Sequence, residues 1–258
     1  MSNATPKLRL RGLRKAFGAK QVLDGVDLDI MPGESMVILG GSGSGKSVTL
    51  KCILGLIQPD AGTIELDGRD LLAMSRQERR AVLDDMGMLF QNGALFDSLP
   101  VWENVCFKLL AQKRITRAQA RDKAAEALAE VGLASSVCDL KPSELSGGMQ
   151  KRVALARAIA AQPAIIFFDE PTTGLDPIMG AVIDGLIVDC VKHLGATALT
   201  ITHDMASARR VGDQAAMIHH GRIVWTGDAA SLGETGNAMV DQFARGEREG
   251  PIQMELRR

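Results

Sequence analysis

The chain has 258 residues, enough for one large domain, or one domain with an insertion, that buries a full core. Its 30 basic and 31 acidic residues leave a formal charge of −1, so bulk electrostatics supply no case for nucleic acid or an anionic membrane surface as partner. The four cysteines, Cys52, Cys106, Cys138 and Cys190, are dispersed and form no CxxC pair, which argues for reduced core residues and against disulfides or zinc.

The N-terminus "MSNATPKLRLRG" lacks the apolar core of a signal peptide, and no window reaches the roughly eighteen apolar residues of a membrane span, so a soluble chain is expected. "LRLRGLRKAF" and "VLDGVDLDI" alternate apolar and polar residues as strands do, and "MPGE" forms a turn before "SMVILG". That last run is continuously apolar and suits a strand buried on both faces. A helix is expected from Lys46 to about Leu56, ended by "QPDAG", with "GTIELDG" and "MGMLFQ" as further strands. From Asn92 to Ala161 the pattern turns helical and marks an insertion. Thr116 and Gln119 have capping-box spacing, Ala118, Ala124, Ala125, Leu128 and Val131 share one helical side, and Gly132 stands where a helix would end. One amphipathic helix over 116–132 follows, and another starts after Ser146. "AIIFFDEP" and "ATALTITHD" read as buried strands with a helix between them, and "AAMIHHGRIVWTGD" as a hairpin turning at His220 and Gly221. The order implies an α/β sheet interrupted by a helical lobe: a core over 1–91 and 162–240, the lobe over 92–161, and a tail over 241–258.

The chemistry concentrates at a few places. "GGSGSGKS" (Gly40, Gly41, Ser42, Gly43, Ser44, Gly45, Lys46, Ser47) fits G-x-x-x-x-G-K-[ST] between a buried strand and a helix whose first turn includes Val48. Glycines bring backbone N–H groups onto phosphate oxygens, the helix N-terminus adds partial positive charge, Lys46 reaches the β and γ phosphates, and the Ser47 hydroxyl can ligate magnesium. Asp169, ending "IIFFD", is placed to hold the magnesium shell, and Glu170 beside it to orient or deprotonate the attacking water. His203 ends "LTITH" at the strand edge where ligands gather in parallel sheets and is a candidate donor to the γ-phosphate. Gln91 closes "MLFQ" in the same way, a candidate bridge from magnesium and water to the lobe. His193, His219 and His220 read as packed or surface residues. "ELSGGMQKRVALARAIA" opens a second glycine-rich helix N-terminus, at Ser146, Gly147 and Gly148, which physically is an anion site.

Taken together these residues resemble the ATP-binding cassette (ABC) family of transporter ATPases over nearly the whole chain. The resemblance implies a P-loop NTPase fold of the ABC nucleotide-binding type, with a RecA-like α/β core, an antiparallel β portion and an inserted α-helical subdomain. It places Phe17 at the adenine-stacking position, "GGSGSGKS" as Walker A, Gln91 as the Q-loop, "LSGGMQ" with Gln150 as the signature, "IIFFDE" as Walker B, "TGLD" with Asp176 as the D-loop, and His203 as the switch histidine. ATP and Mg2+ are the implied ligands. The signature would cap the γ-phosphate held by a second copy of the chain in a head-to-tail dimer that sandwiches two ATPs.

"LFQNGALFDSLPVWENV" and "QFARGEREGPIQ" further resemble the MCE-associated, Mla-type phospholipid-trafficking ATPases, although Pro100 stands where that group often has Thr. This implies phospholipid transport between the inner membrane and the periplasmic side, with the chain on the cytoplasmic face of the inner membrane. The implied partners are integral-membrane permease subunits, a periplasmic MCE-domain lipid-binding subunit and, as an additional candidate, a small STAS-domain regulator. Phe96, Leu99, Trp102 and Phe107 follow Gln91 where the family docks its permease, and each serves equally well as core. The alternatives are another importer or exporter ATPase, or a non-transport ABC ATPase acting on ribosomes or DNA. The latter usually carries tandem cassettes or a long insertion, and this chain has neither.

Overall fold

A computed structural model of the chain describes residues 5–253. The chain forms two compact units, one made of residues up to Ala73 together with those from Ile201 onward, the other of Met74–Thr200.

In the first unit β1 (Leu8–Phe17), β2 (Lys20–Ile30), β4 (Ala61–Leu66) and β5 (Arg69–Asp70) form an antiparallel sheet in the order β2-β1-β4-β5. Strict alternation along β1 buries Leu8 and Leu10, and a register shift after Leu10 restores Leu13 to the same buried face. Between β2 and β4 lie the buried strand β3 (Ser35–Leu39) and α1 (Lys46–Ile53). The helix is shorter than the sequence suggests. Gly55 adopts φ 70°, its N–H bonds to Cys52 O, and the Leu56 N–H bonds to Lys51 O, so a Schellman turn closes α1 after Ile53 and leaves Leu56 exposed.

The second unit opens with α2 (Arg76–Leu83), which hydrophobic periodicity does not reveal because none of its residues is buried. Its signal is the capping box: Ser75 Oγ accepts from the Glu78 N–H, and Glu78 reaches back to the Ser75 N–H. Next come β6 (Gly87–Leu89), α3 (Val101–Ala111), α4 (Arg117–Glu130), α5 (Gly147–Ile159), β7 (Ile165–Asp169) and α6 (Pro177–Leu194), with β6 parallel to β7. The capping box of α4 forms as expected, with Thr116 and Gln119 in their reciprocal positions. Its buried stripe is Ala120, Ala124, Ala127, Leu128 and Val131, whereas Ala118 is exposed and Ala125 half-buried. Alanine recurs all round this helix, so the sequence locates the helix better than its inner face. Phe167 and Phe168 are wholly buried in β7, each worth about 2–3 kcal/mol of apolar transfer.

The strand β8 (Thr197–Thr202) carries the chain from the second unit into the first, followed by α7 (Met205–Val211), the hairpin β9 (Gln214–His219) and β10 (Arg222–Asp228), and α8 (Ala238–Arg245). The hairpin turns at His220 and Gly221, φ 45° and 73°, and β9 runs parallel to β3. All four cysteines are buried and unbridged. No helix among the described residues is long and apolar enough to cross a membrane.

The C-terminal segment expected as a tail from residue 241 begins inside α8. Gln242, only 5% exposed, donates to Ile252 O (3.0 Å) and accepts from the Ile252 N–H (2.7 Å), folding the following residues back onto the helix. Residues 254–258 of the expected tail lie outside the described residues. Gln242→Ala strands these backbone groups at a cost of about 1–3 kcal/mol. Limited proteolysis is expected to clip the variant near residues 246–253 several-fold faster than the parent, and equal clipping rates would refute the bracing.

Candidate functional site

In the first unit the phosphate loop runs from β3 into α1. Lys46 is 6% exposed, and its ammonium donates to Gly40 O (2.6 Å) and Gly41 O (3.0 Å), which anchors the cation over its own loop. A Cβ on Gly40 would lie 2.4 Å from Ile218 O and 2.7 Å from Ser44 Oγ, so only glycine lets the loop sit this close to β9. The turn of the hairpin supports the loop from behind: the Gly221 N–H donates to Ser44 O at 3.1 Å, and the Asp24 N–H donates to Gly221 O at 2.8 Å. Ser44 Oγ is buried with no hydrogen-bond partner among the described residues. An unanswered buried hydroxyl costs about 1–3 kcal/mol, which a phosphate oxygen at this loop would offset. Ser47 is exposed at the start of α1.

Phe17, at the end of β1, is 49% exposed, with Lys15 Nζ 5.5 Å from its ring centroid. Phe17, Lys20 and Val22 form a cleft of about 330 Å3 with Gly43, Ser44, Gly45, Lys46, Ser47 and Val48. The sequence motifs select the aromatic and the loop but not Lys20 or Val22, which β2 brings there. His203 is exposed immediately after β8.

In the second unit Asp169 ends β7, and Glu170 follows with φ 45°, a left-handed conformation that a non-glycine residue adopts only under constraint. At its carboxylate the Thr173 hydroxyl donates at 3.0 Å and the Gln91 amide at 3.3 Å, both to Oε2. The Lys151 ammonium, only 7% exposed, donates to Gln91 O. Burial pushes the pKa of Lys151 down, and the nearby Asp169 and Glu170 carboxylates oppose that shift. The sequence points to Gln91, Asp169 and Glu170 but not to Thr173, in "EPTTGLD", or Lys151, in "LSGGMQK".

Ser146 caps α5 by accepting from the Met149 N–H at 3.3 Å, and Ser146 and Gly147 are exposed. A Cβ on Gly147 would meet nothing within 4 Å, and on Gly148 only the flexible end of Met179, at 2.8 Å. Packing within the chain therefore demands neither glycine, and the first N–H groups of α5 lie at an uncluttered surface. The polar groups of Gln150 and Asp176 are engaged locally. The Gln150 amide donates to Pro142 O (2.9 Å) and Leu145 O (3.4 Å), bracing the approach to Ser146. Asp176 Oδ1 accepts from the Ile178 and Met179 N–H groups at 3.0 Å each and caps α6.

Of the apolar residues after Gln91, Phe96 and Phe107 are exposed and stack with centroids 4.4 Å apart, whereas Leu99 and Trp102 are half-buried. The buried Asn104 pins this segment, accepting from the Phe96 N–H and donating to Phe96 O, Leu99 O and Pro100 O.

Comparison with known proteins agrees with this geometry. The ABC transporter family model matches residues 23–173. The chain is 40% identical over 247 residues to the probable ribonucleotide transport ATP-binding protein mkl of Mycobacterium leprae, covering 96% of this chain and 71% of that protein. It is 38% identical over 243 residues to the intermembrane phospholipid transport system ATP-binding protein MlaF of Escherichia coli, covering 94% and 90%. Among solved structures, the dimeric post-hydrolysis state of the ATP-binding cassette MJ0796 bound to ADP and Pi superposes with a TM-score of 0.78 at 32% identity, covering 86% of this chain and 98% of that one. With the strand-loop-helix phosphate site and the second glycine-rich helix N-terminus in place, the chain belongs to the ABC transporter family as an ATP-hydrolysing ATP-binding component.

Proposed function

We propose that this ATPase powers an Mla-type transporter that moves phospholipids between the inner membrane and the periplasmic side. The observation that carries the reading is the likeness to MlaF along nearly the whole of both chains, supported by the "LFQNGALFDSLPVWENV" and "QFARGEREGPIQ" stretches. In it the chain sits at the cytoplasmic face of the inner membrane, with the exposed Phe96–Phe107 pair against permease subunits. An MCE-domain lipid-binding subunit and a STAS-domain regulator complete the assembly.

Within the site, Phe17 stacks on adenine, and the Gly40–Ser47 backbone with Lys46 binds the phosphates, Val48 continuing the helix that supports them. Ser47 in the first unit, and Gln91 and Asp169 in the second, each carry a hard oxygen donor of the kind that would hold Mg2+. When bound, Mg2+ would supply positive charge against the phosphates. Glu170, its carboxylate held by Thr173 and Gln91, orients the attacking water and takes its proton, and His203 donates toward the γ-phosphate. Ser146, Gly147 and Gly148, with Gln150 and Asp176 fixing the local backbone, face the ATP of a second copy. A dimeric structure of the similar MJ0796 cassette is in keeping with a two-copy arrangement.

A second reading, ribonucleotide transport, is favoured by the 40% identity to mkl. One measurement separates them. The chain is purified from membranes with its accompanying subunits, and bound small molecules are extracted and identified by mass spectrometry. Glycerophospholipid retained at near-stoichiometric amounts is expected. Ribonucleotide other than ATP or ADP, with no phospholipid above a detergent-matched control, overturns the lipid reading.

A further inference from the structure

We propose that Lys151 and Arg157 of α5 are positioning residues for hydrolysis, clamping the segment from Gln91 to Ala94 so that the signature helix sets where the Gln91 amide meets the Glu170 carboxylate. The inference deepens the assignment of Glu170 as the base and rests on it.

Three observations converge, all within the second unit. First, two cations from one helix bind carbonyls of one four-residue segment: Lys151 holds Gln91 O, and the Arg157 guanidinium holds Gly93 O and, at 2.7 Å, Ala94 O. Lys151 is buried, and burial pushes the pKa of both cations down. A desolvated cation is retained where its hydrogen bonds compensate, and here each makes them to that one segment.

Second, the clamped segment is held in an unfavourable shape. Gly93 and Ala94 have φ of 71° and 50°, and an alanine in the left-handed region persists only where its surroundings fix it. Besides the Gly93 N–H to Phe90 O turn bond (2.8 Å), the bonds from α5 supply that fixing.

Third, the segment ends on the base. Gln91 is exposed, so its amide is directed by its own backbone rather than by packing. It bonds to Glu170 at 3.3 Å, toward the long end of the hydrogen-bond range, whereas Thr173 holds the same oxygen at 3.0 Å. Of these two contacts to Glu170 the one from Thr173 is the firmer, and the longer one, from Gln91, is carried by α5. A shift of α5 as Ser146, Gly147 and Gly148 take up an anion moves the Gln91 carbonyl with Lys151, and with it the amide on Glu170. Occupancy of the signature is read by the base of the same chain.

The test is a double-mutant cycle on ATP hydrolysis by the full chain in the assembly purified from membranes. Lys151→Met keeps the stem and removes the donor; it is expected to lower kcat about 10- to 100-fold with KM for ATP little changed, the pattern of a misplaced catalytic group. Lys151→Arg, which retains a donor, should recover most of the loss. The deciding arm is Lys151→Met in a Gln91→Ala background. Alanine keeps the backbone carbonyl but has no amide to place, so a route through Gln91 predicts almost no further loss. Additive losses, or an unchanged kcat in Lys151→Met alone, overturn the proposal. If Lys151→Met does not fold, Lys151→Leu, which also lacks a donor, takes its place in the same cycle. Glu170→Gln is assayed in parallel: near-normal turnover there removes the base assignment itself, whereas an inactive Glu170→Gln with an additive cycle removes only the clamp.

Discussion

Replacing Glu170 by Gln is expected to reduce ATP turnover about 10²- to 10⁴-fold while nucleotide binding persists, the size of effect when a general base is removed. The substitution is close to isosteric, so the Thr173 hydroxyl and the Gln91 amide still have an oxygen to bond, and the left-handed backbone at residue 170 faces no new constraint. What disappears is the carboxylate's ability to take a proton. Equilibrium binding of a fluorescent ATP analogue, measured beside steady-state phosphate release, separates the two. Turnover within a few-fold of the parent would return Glu170 to a purely structural part.

A complementary experiment addresses which molecule Ser146, Gly147 and Gly148 serve. Lys46→Ala removes the cation that bridges Gly40 O and Gly41 O, and Ser146→Arg places a bulky side chain at the exposed start of α5. Each variant alone is expected to lose nearly all hydrolysis, by about 10²-fold or more for loss of charge stabilisation at the phosphates. If each site is completed by the other copy, the mixed dimer has one site with both elements intact and one with neither. Equal mixing, with half the dimers mixed, then restores up to about a quarter of parental turnover. A covalently linked mixed dimer that remains inactive, although it binds ATP, would eliminate a single independently working composite site.

Local chemistry made much of this legible in the sequence. The phosphate loop, the buried strands β3 and β7, the Thr116–Gln119 cap and the His220–Gly221 turn are each written within a few consecutive residues. A helix whose apolar face is indistinct was harder to read. α2 buries nothing and declares itself only through Ser75 and Glu78, and α4 is so rich in alanine that Ala118 and Ala120 were indistinguishable as inner-face residues. The end of α1 turned on Gly55, whose role depends on the carbonyls it closes. The connections of Lys151 and Arg157 left no local trace, because about sixty residues separate each from its partners. Their side chains look like ordinary helix-surface cations until the fold folds them inward.

The support that Gly221 gives to Ser44 has a consequence for how the molecule comes into being. The phosphate loop is made well before the distant backbone it leans on, at Ile218 and Gly221. Closing a contact between distant parts of a chain is entropically slow, and it waits for both parts to exist. An emerging chain therefore carries every residue of its nucleotide motif well before the loop has its native seat. The native seat of the loop arrives only when β9 and β10 dock against it, so ATP binding is expected to track the docking of that hairpin.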